Sequence, residues 1–125
     1  MELASQQQVP PASGPIYGGK IVVLVNEFAI SQSEHTCLFL EAATDATFVG
    51  SPTNGTNGDV TNTVLPGGIV VRFSGHDVRH ADGRQLQRIG IVPNVLVRPT
   101  PAGIQAGRDE VLEAGLAAVD RLLKK

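Results

Sequence analysis

The sequence is poor in the features that most directly betray function. It has a single cysteine, Cys37, so no disulfide can form within the chain, and cysteine usage says nothing about compartment. Its basic residues are few and scattered: ten Lys and Arg against twelve Asp and Glu, a net charge of −2 and a pI near 5.8. That balance gives no electrostatic footprint for nucleic acid or an anionic membrane. No apolar run approaches the ~18 residues of a membrane span, and no charged stretch followed by an apolar one marks an export signal. Lysine is confined to Lys20, Lys124 and Lys125. What remains is a 125-residue chain, 42% hydrophobic, long enough to bury one core without covalent staples.

Residues 1–18, "MELASQQQVPPASGPIYG", are polar, proline-containing and aperiodic, and read as a linker or terminal extension ahead of a single domain over 19–125. "KIVVLV" (20–25) is a short β-branched run of the kind found in a central strand of an α/β sheet. The spacing of Cys37, Leu38, Leu40 and Ala43 predicts a helix over about 32–43, and "ATFVG" (46–50) a second strand. Strand, helix and strand in thirty residues make a right-handed βαβ unit. "TNGTNGDVTN" (53–62) is a turn-rich loop, and "TNTVL", "PGG" and "IVVRF" predict a hairpin turning at Pro66-Gly67. Short strands are expected around 86–91 and 95–98. The segment 107–125 reads as an amphipathic helix with Leu112, Leu116, Val119 and Leu123 on one face.

One stretch holds the candidate chemistry. In "NEFAISQSEH" (26–35), Ser31 and Glu34 have the S-x-x-E spacing of a capping box, which needs no function. A serine on a strand-to-helix turn also exposes its hydroxyl beside free helix N–H groups, where an oxyanion could be stabilised. His35 lies one turn beyond Ser31 and within reach of it, but a histidine in a first turn is ordinary surface. Cys37 belongs to the packed side of the helix. His76 and His80, with Asp77 and Asp82, fall in a strand-and-turn region and not on a helix, where zinc enzymes carry their histidine pair, and read as loop residues. The sequon at Asn54 is a pattern only.

Taken together, "VVLVNEFAISQSE", "FVGSPTNG", "LPGG" and "GRQLQRIGIVPNVLVRPT" resemble, in order and spacing, the C-terminal half of the catalytic core of the tail-specific (C-terminal processing) protease family. This is serine peptidase family S41, which includes the tricorn core; the likeness runs from about residue 17 to 121. The resemblance implies an α/β fragment of a ClpP/crotonase-like core, a serine endopeptidase activity on peptide or protein substrates, and no cofactor or metal. It places the nucleophile on Ser31, an oxyanion donor on the backbone N–H of Gln32, and structural roles on Ser33 and Glu34. It implies a bacterial envelope or secreted setting, although no signal peptide is seen.

The sequence also departs from the family. Thr56 stands where the Ser/Lys branch has its lysine, so a Ser/Lys dyad is not expected. The tricorn-like branch takes its base from a histidine earlier in the core, and a carboxylate of that branch is matched by Gln87, an orienting residue at best because glutamine is not a base. Two other readings therefore stand beside the peptidase: a catalytically incomplete module that binds an extended peptide at a sheet edge, and an interaction fragment whose uncovered face drives self-association or takes the upstream half of the core.

Overall fold

The computed structural model describes residues 6–124, so residues 1–5 of the expected extension lie outside the described part. Eight elements follow one another: β1 Val22–Val25, α1 Gln32–Ala43, β2 Thr47–Gly50, β3 Val60–Leu65, β4 Ile69–Ser74, β5 Val95–Leu96, α2 Pro101–Gln105 and α3 Glu110–Leu123. β1, β2 and β5 form a parallel sheet in the order β1-β2-β5, with Val22 opposite Thr47 and Val49 opposite Val95. The expected βαβ unit is thus present. β3 and β4 form a separate antiparallel hairpin closed at Leu65 and Ile69 around Pro66-Gly67, as the turn residues required.

Period-two alternation divides the sheet between two helical layers. Val23, Val25 and Phe48 pack toward α1, where they meet Cys37 and Leu38 and, from the later loop, Leu86 and Ile91. Val22 and Leu24 point the other way, and α3 reaches them through Gly115, at which a Cβ would come within 2.7 Å of Leu24. A side-chain-free position at the crossing lets helix and sheet approach closely. α3 starts on Asp109, whose carboxylate accepts from Leu112 N at 2.9 Å.

Four expectations need correction. β1 is not central among the described residues: it pairs with β2 alone and its other edge is open. Residues 86–91 are no strand, because Arg88 and Gly90 take positive φ (69° and 78°) and Leu86 O accepts from both Ile89 N and Gly90 N, closing a turn. The strand expected over 95–98 shortens to two residues. α3 exists, but it buries Gly115 and Ala118; Leu112, Leu116 and Leu123 face solvent. Small residues, not the leucine stripe, fit the sheet. α2 is too short to show a period, but Thr100-Pro101 is a helix start: the Thr100 hydroxyl accepts from Gly103 N at 3.0 Å.

A charged cluster ties α1 to the loop before the Leu86 turn. Glu41 accepts from the buried His80 ring at 2.5 Å and from Arg84 at 2.8 Å, and Arg84 also reaches Asp82 at 2.6 Å. Burial pushes the Glu41 carboxyl up, but the hydrogen bonds and charges of His80 and Arg84 outweigh it and hold the group below its usual value. A carboxyl lowered on folding contributes stability that is complete above the unfolded value of 4.5 and is lost as pH falls through the folded one. Glu41→Gln is therefore expected to flatten the acid limb of a stability-versus-pH curve below about pH 4.5, read by urea unfolding at stepped pH. An unchanged limb would show that the cluster contributes nothing. Burial, with Glu34 and Glu41 adding to it, likewise pushes the Cys37 thiol up, which suits inert packing.

Candidate active site

The turn after β1 is built by its first residue. Asn26 accepts from Phe28 N through its side chain and from Ala29 N through its carbonyl, both at 3.0 Å, reversing the chain before α1. Ser31 follows at φ 48°, ψ −112°, a conformation disfavoured for a residue with a Cβ. Such strain is retained where surrounding structure enforces it, and it clusters at functional sites. The helix itself begins normally: Ile30 O accepts from Ser33 N and Ser31 O from His35 N. The Ser31 side chain makes no capping hydrogen bond, and Gln32 N–H has no acceptor among the described residues. The expected capping box is therefore not formed. The left-handed φ swings Ser31 away from the N–H groups that a cap must reach, leaving it exposed.

Glu34 does something else with its carboxylate. It is fully buried, and four donors of the loop after β2 converge on it: Thr53 Oγ1 at 2.6 Å and Gly55 N at 2.5 Å on one oxygen, Thr56 N and Asn57 N at 2.9 Å on the other. A carboxylate is acceptor-only and takes donors on both oxygens, so main-chain dipoles can balance its charge without a cation. The same Thr53 hydroxyl accepts from Ile91 N at 2.8 Å. Glu34 thus fastens the start of α1, and with it the Ser31 turn, to the glycine loop.

Thr56 sits in that cradle through its backbone. The neighbouring Asn57, buried, pairs its side-chain amide with His35 Nδ1 at 2.9 Å, and the opposite ring nitrogen meets Gln7 Oε1 at 2.6 Å. The His35 ring also stacks edge-on against Phe39, and neither of its nitrogens bonds to the Ser31 hydroxyl. Gln87 lies behind Asn57, its amide donating to Asn57 O at 2.9 Å and His76 O at 2.6 Å. It positions the loop and does not touch Ser31. His76 pairs with Asp59 at 3.1 Å in solvent, and His80 with Glu41, so the two histidines serve different carboxylates.

Sequence reasoning missed a group at the C-terminal ends of the parallel strands, where open α/β sheets bind ligands. Ser51, after β2, donates to Glu27 at 2.5 Å, and Arg98, after β5, approaches the same oxygen at 3.4 Å. The Ser51 hydroxyl, Glu27's own backbone and Arg98 hold that carboxyl below its usual range. Only the order of the three strands brings these residues together. Beside them opens a groove of about 990 Å³, lined by β1, by Ser33, Cys37 and Leu40 of α1, and by Ile104 and the residues leading into α3.

The profile of peptidase family S41 matches residues 2–97. Among solved structures, a putative peptidase from Parabacteroides merdae ATCC 43184 superposes with a TM-score of 0.79 and 27% identity, over 87% of this chain and 34% of that one. The photosystem II D1 C-terminal processing protease is 28% identical over 66% of this chain and 21% of its own, with a TM-score of 0.54. The tricorn protease shares the fold, with a TM-score of 0.67 and 23% identity over 85% of this chain and 10% of its own. The chain therefore spans about a third or less of these structures. No curated protein sequence is significantly similar to it.

Proposed function

Since the chain belongs to peptidase family S41, we propose that it is the part of a serine-type endopeptidase core that carries the nucleophile, Ser31, with cleavage directed toward the C-terminal region of protein substrates. The observation that supports this reading best is the backbone of Ser31: a strained, exposed serine on a strand-to-helix turn whose hydroxyl caps nothing. In the reaction, Ser31 Oγ bonds to the scissile carbonyl carbon as its proton passes to a base. Gln32 N–H donates to the resulting oxyanion, the C–N bond breaks as the amine takes a proton, and water then releases the acyl group.

The base comes from elsewhere in the core. Thr56 offers no basic group, both ring nitrogens of His35 are engaged by Asn57 and Gln7, and the tricorn-like resemblance draws a histidine from a part of the core that this chain does not span. Glu34, Asn57 and Gln87 act as positioning residues for the turn.

A fluorophosphonate probe tests the reading, applied to the chain and to a longer natural polypeptide containing it. The expected result is labelling that Ser31→Ala abolishes and Ser33→Ala keeps, strongest in the longer form. Folded protein that never labels would overturn it in favour of a peptide-binding module without chemistry. A companion variant separates strain from capping: Ser31→Gly should remove labelling and yet raise stability by about 1 kcal/mol, because glycine adopts this φ freely. A loss of similar size on thermal unfolding would mean that the serine is a structural cap after all.

A further inference from the structure

Ser31 is held in a conformation that a residue with a Cβ avoids, so contacts on both sides of it must enforce that backbone. On the helix side, Glu34 binds the loop after β2. On the strand side the same loop grips the turn a second time. Ser51, itself only 2% exposed, donates to Glu27 Oε2 at 2.5 Å, and Arg98 Nη1 lies 3.4 Å from that oxygen. Asn54 holds the main chain of the turn at two points: its N–H donates to Ala29 O at 3.1 Å and its side-chain amide to Glu27 O at 3.4 Å. Glu27 and Glu34 thus bracket Ser31, one before it and one after, and residues 51–57 fasten both.

The strand-side grip depends on the Glu27 side chain. Its carboxylate is half exposed, and an exposed carboxylate ordinarily stays in water with little to gain from one partner. Here a buried hydroxyl and a guanidinium meet on one of its oxygens, a charge-assisted contact that fixes where the side chain lies. We propose that Glu27, Ser51 and Arg98 form a clamp that enforces the left-handed backbone of Ser31, with Glu27 as the positioning residue. The clamp deepens the peptidase reading and rests on it for its place in the reaction: a serine whose backbone is fixed before substrate arrives needs no reorganisation as its Oγ bonds to the carbonyl carbon. The enforced φ itself does not require Ser31 to react.

A double-mutant cycle on the 125-residue chain tests the clamp. Ser31→Gly reads the strain, because glycine adopts this φ freely and so raises the unfolding midpoint. With Glu27→Ala in place Ser31 relaxes, and the gain from Ser31→Gly should fall to less than about half. Ser51→Ala should reduce the gain in the same way, whereas Glu27→Gln, which keeps an acceptor for Ser51, should preserve more of it. A side chain that merely adds stability would lower every midpoint and leave the gain from glycine unchanged, and that result overturns the clamp. So does the absence of any gain from Ser31→Gly in the unaltered chain, since there is then no strain to enforce. Fluorophosphonate labelling of the longer natural polypeptide is the second readout: Glu27→Ala should slow labelling of Ser31 about 10-fold at an unchanged folded fraction. Labelling that is not slowed overturns the positioning role. If Ser31 of the unaltered protein never labels, the peptidase reading fails, while the cycle in the chain still decides the clamp.

Discussion

Glu34→Ala is expected to cost about 3–5 kcal/mol, a large share of the roughly 5–15 kcal/mol that holds a domain of this size together. The substitution removes the carboxylate on which four donors converge, three of them main-chain N–H groups of the Gly55–Asn57 loop. Each buried donor left without a partner costs about 1–3 kcal/mol, and relaxation or an entering water recovers only part of the sum. Glu34→Gln should be nearly as harmful although it conserves shape, since its NH2 must face two donors at one of the two oxygen positions. Urea midpoints for the three proteins measure this. A loss below about 1 kcal/mol for both variants would mean that the carboxylate is not what holds the loop. Because the cradle also fixes the start of α1, labelling of Ser31 should fall in step with the folded fraction.

Gly50→Ala is expected to cost about 3–4 kcal/mol. Gly50 has φ 134°, and a Cβ there would lie 1.9 Å from Val25 O, the carbonyl that accepts from Ser51 N at the end of the β1–β2 ladder. Two penalties add: about 1–3 kcal/mol for backbone that only glycine adopts freely, and the loss of a ladder bond as the strands are forced apart. Gly67→Ala is the control. It too has positive φ, 87°, but nothing lies within 4 Å of its Cβ position at the hairpin tip, so only the conformational term of about 1–2 kcal/mol applies. Equal losses for the two, measured by thermal unfolding, would show that the clash with Val25 is relieved at no cost.

The legible parts of this protein are those governed by local periodicity. Alternating and β-branched runs mark β1, β2 and the hairpin, and helical spacing marks α1, because these patterns must satisfy the geometry of an element before any tertiary contact forms. The family could also be read from the ordered motifs around Ser31, the glycine loop and "LPGG". The serine turn was visible as a choice between cap and exposed nucleophile seat, and the φ of Ser31, which no spacing encodes, removes the cap.

Sequence by itself determined the types of β1, α1, β2 and the hairpin strands, the βαβ connection and the position of the candidate serine, since each follows from residues near one another in the chain. The tertiary structure alone decided that Glu34 serves the glycine loop and not the helix start, that α3 meets the sheet through Gly115 and Ala118 and not its leucines, and that Glu27, Ser51 and Arg98 converge. It also decided that β1 stands at the edge of the sheet among the described residues. The physical reason is the same in each case: buried hydrogen-bond donors, close packing and strand order are settled by groups far apart in sequence, and a local pattern carries no record of which distant group will be there.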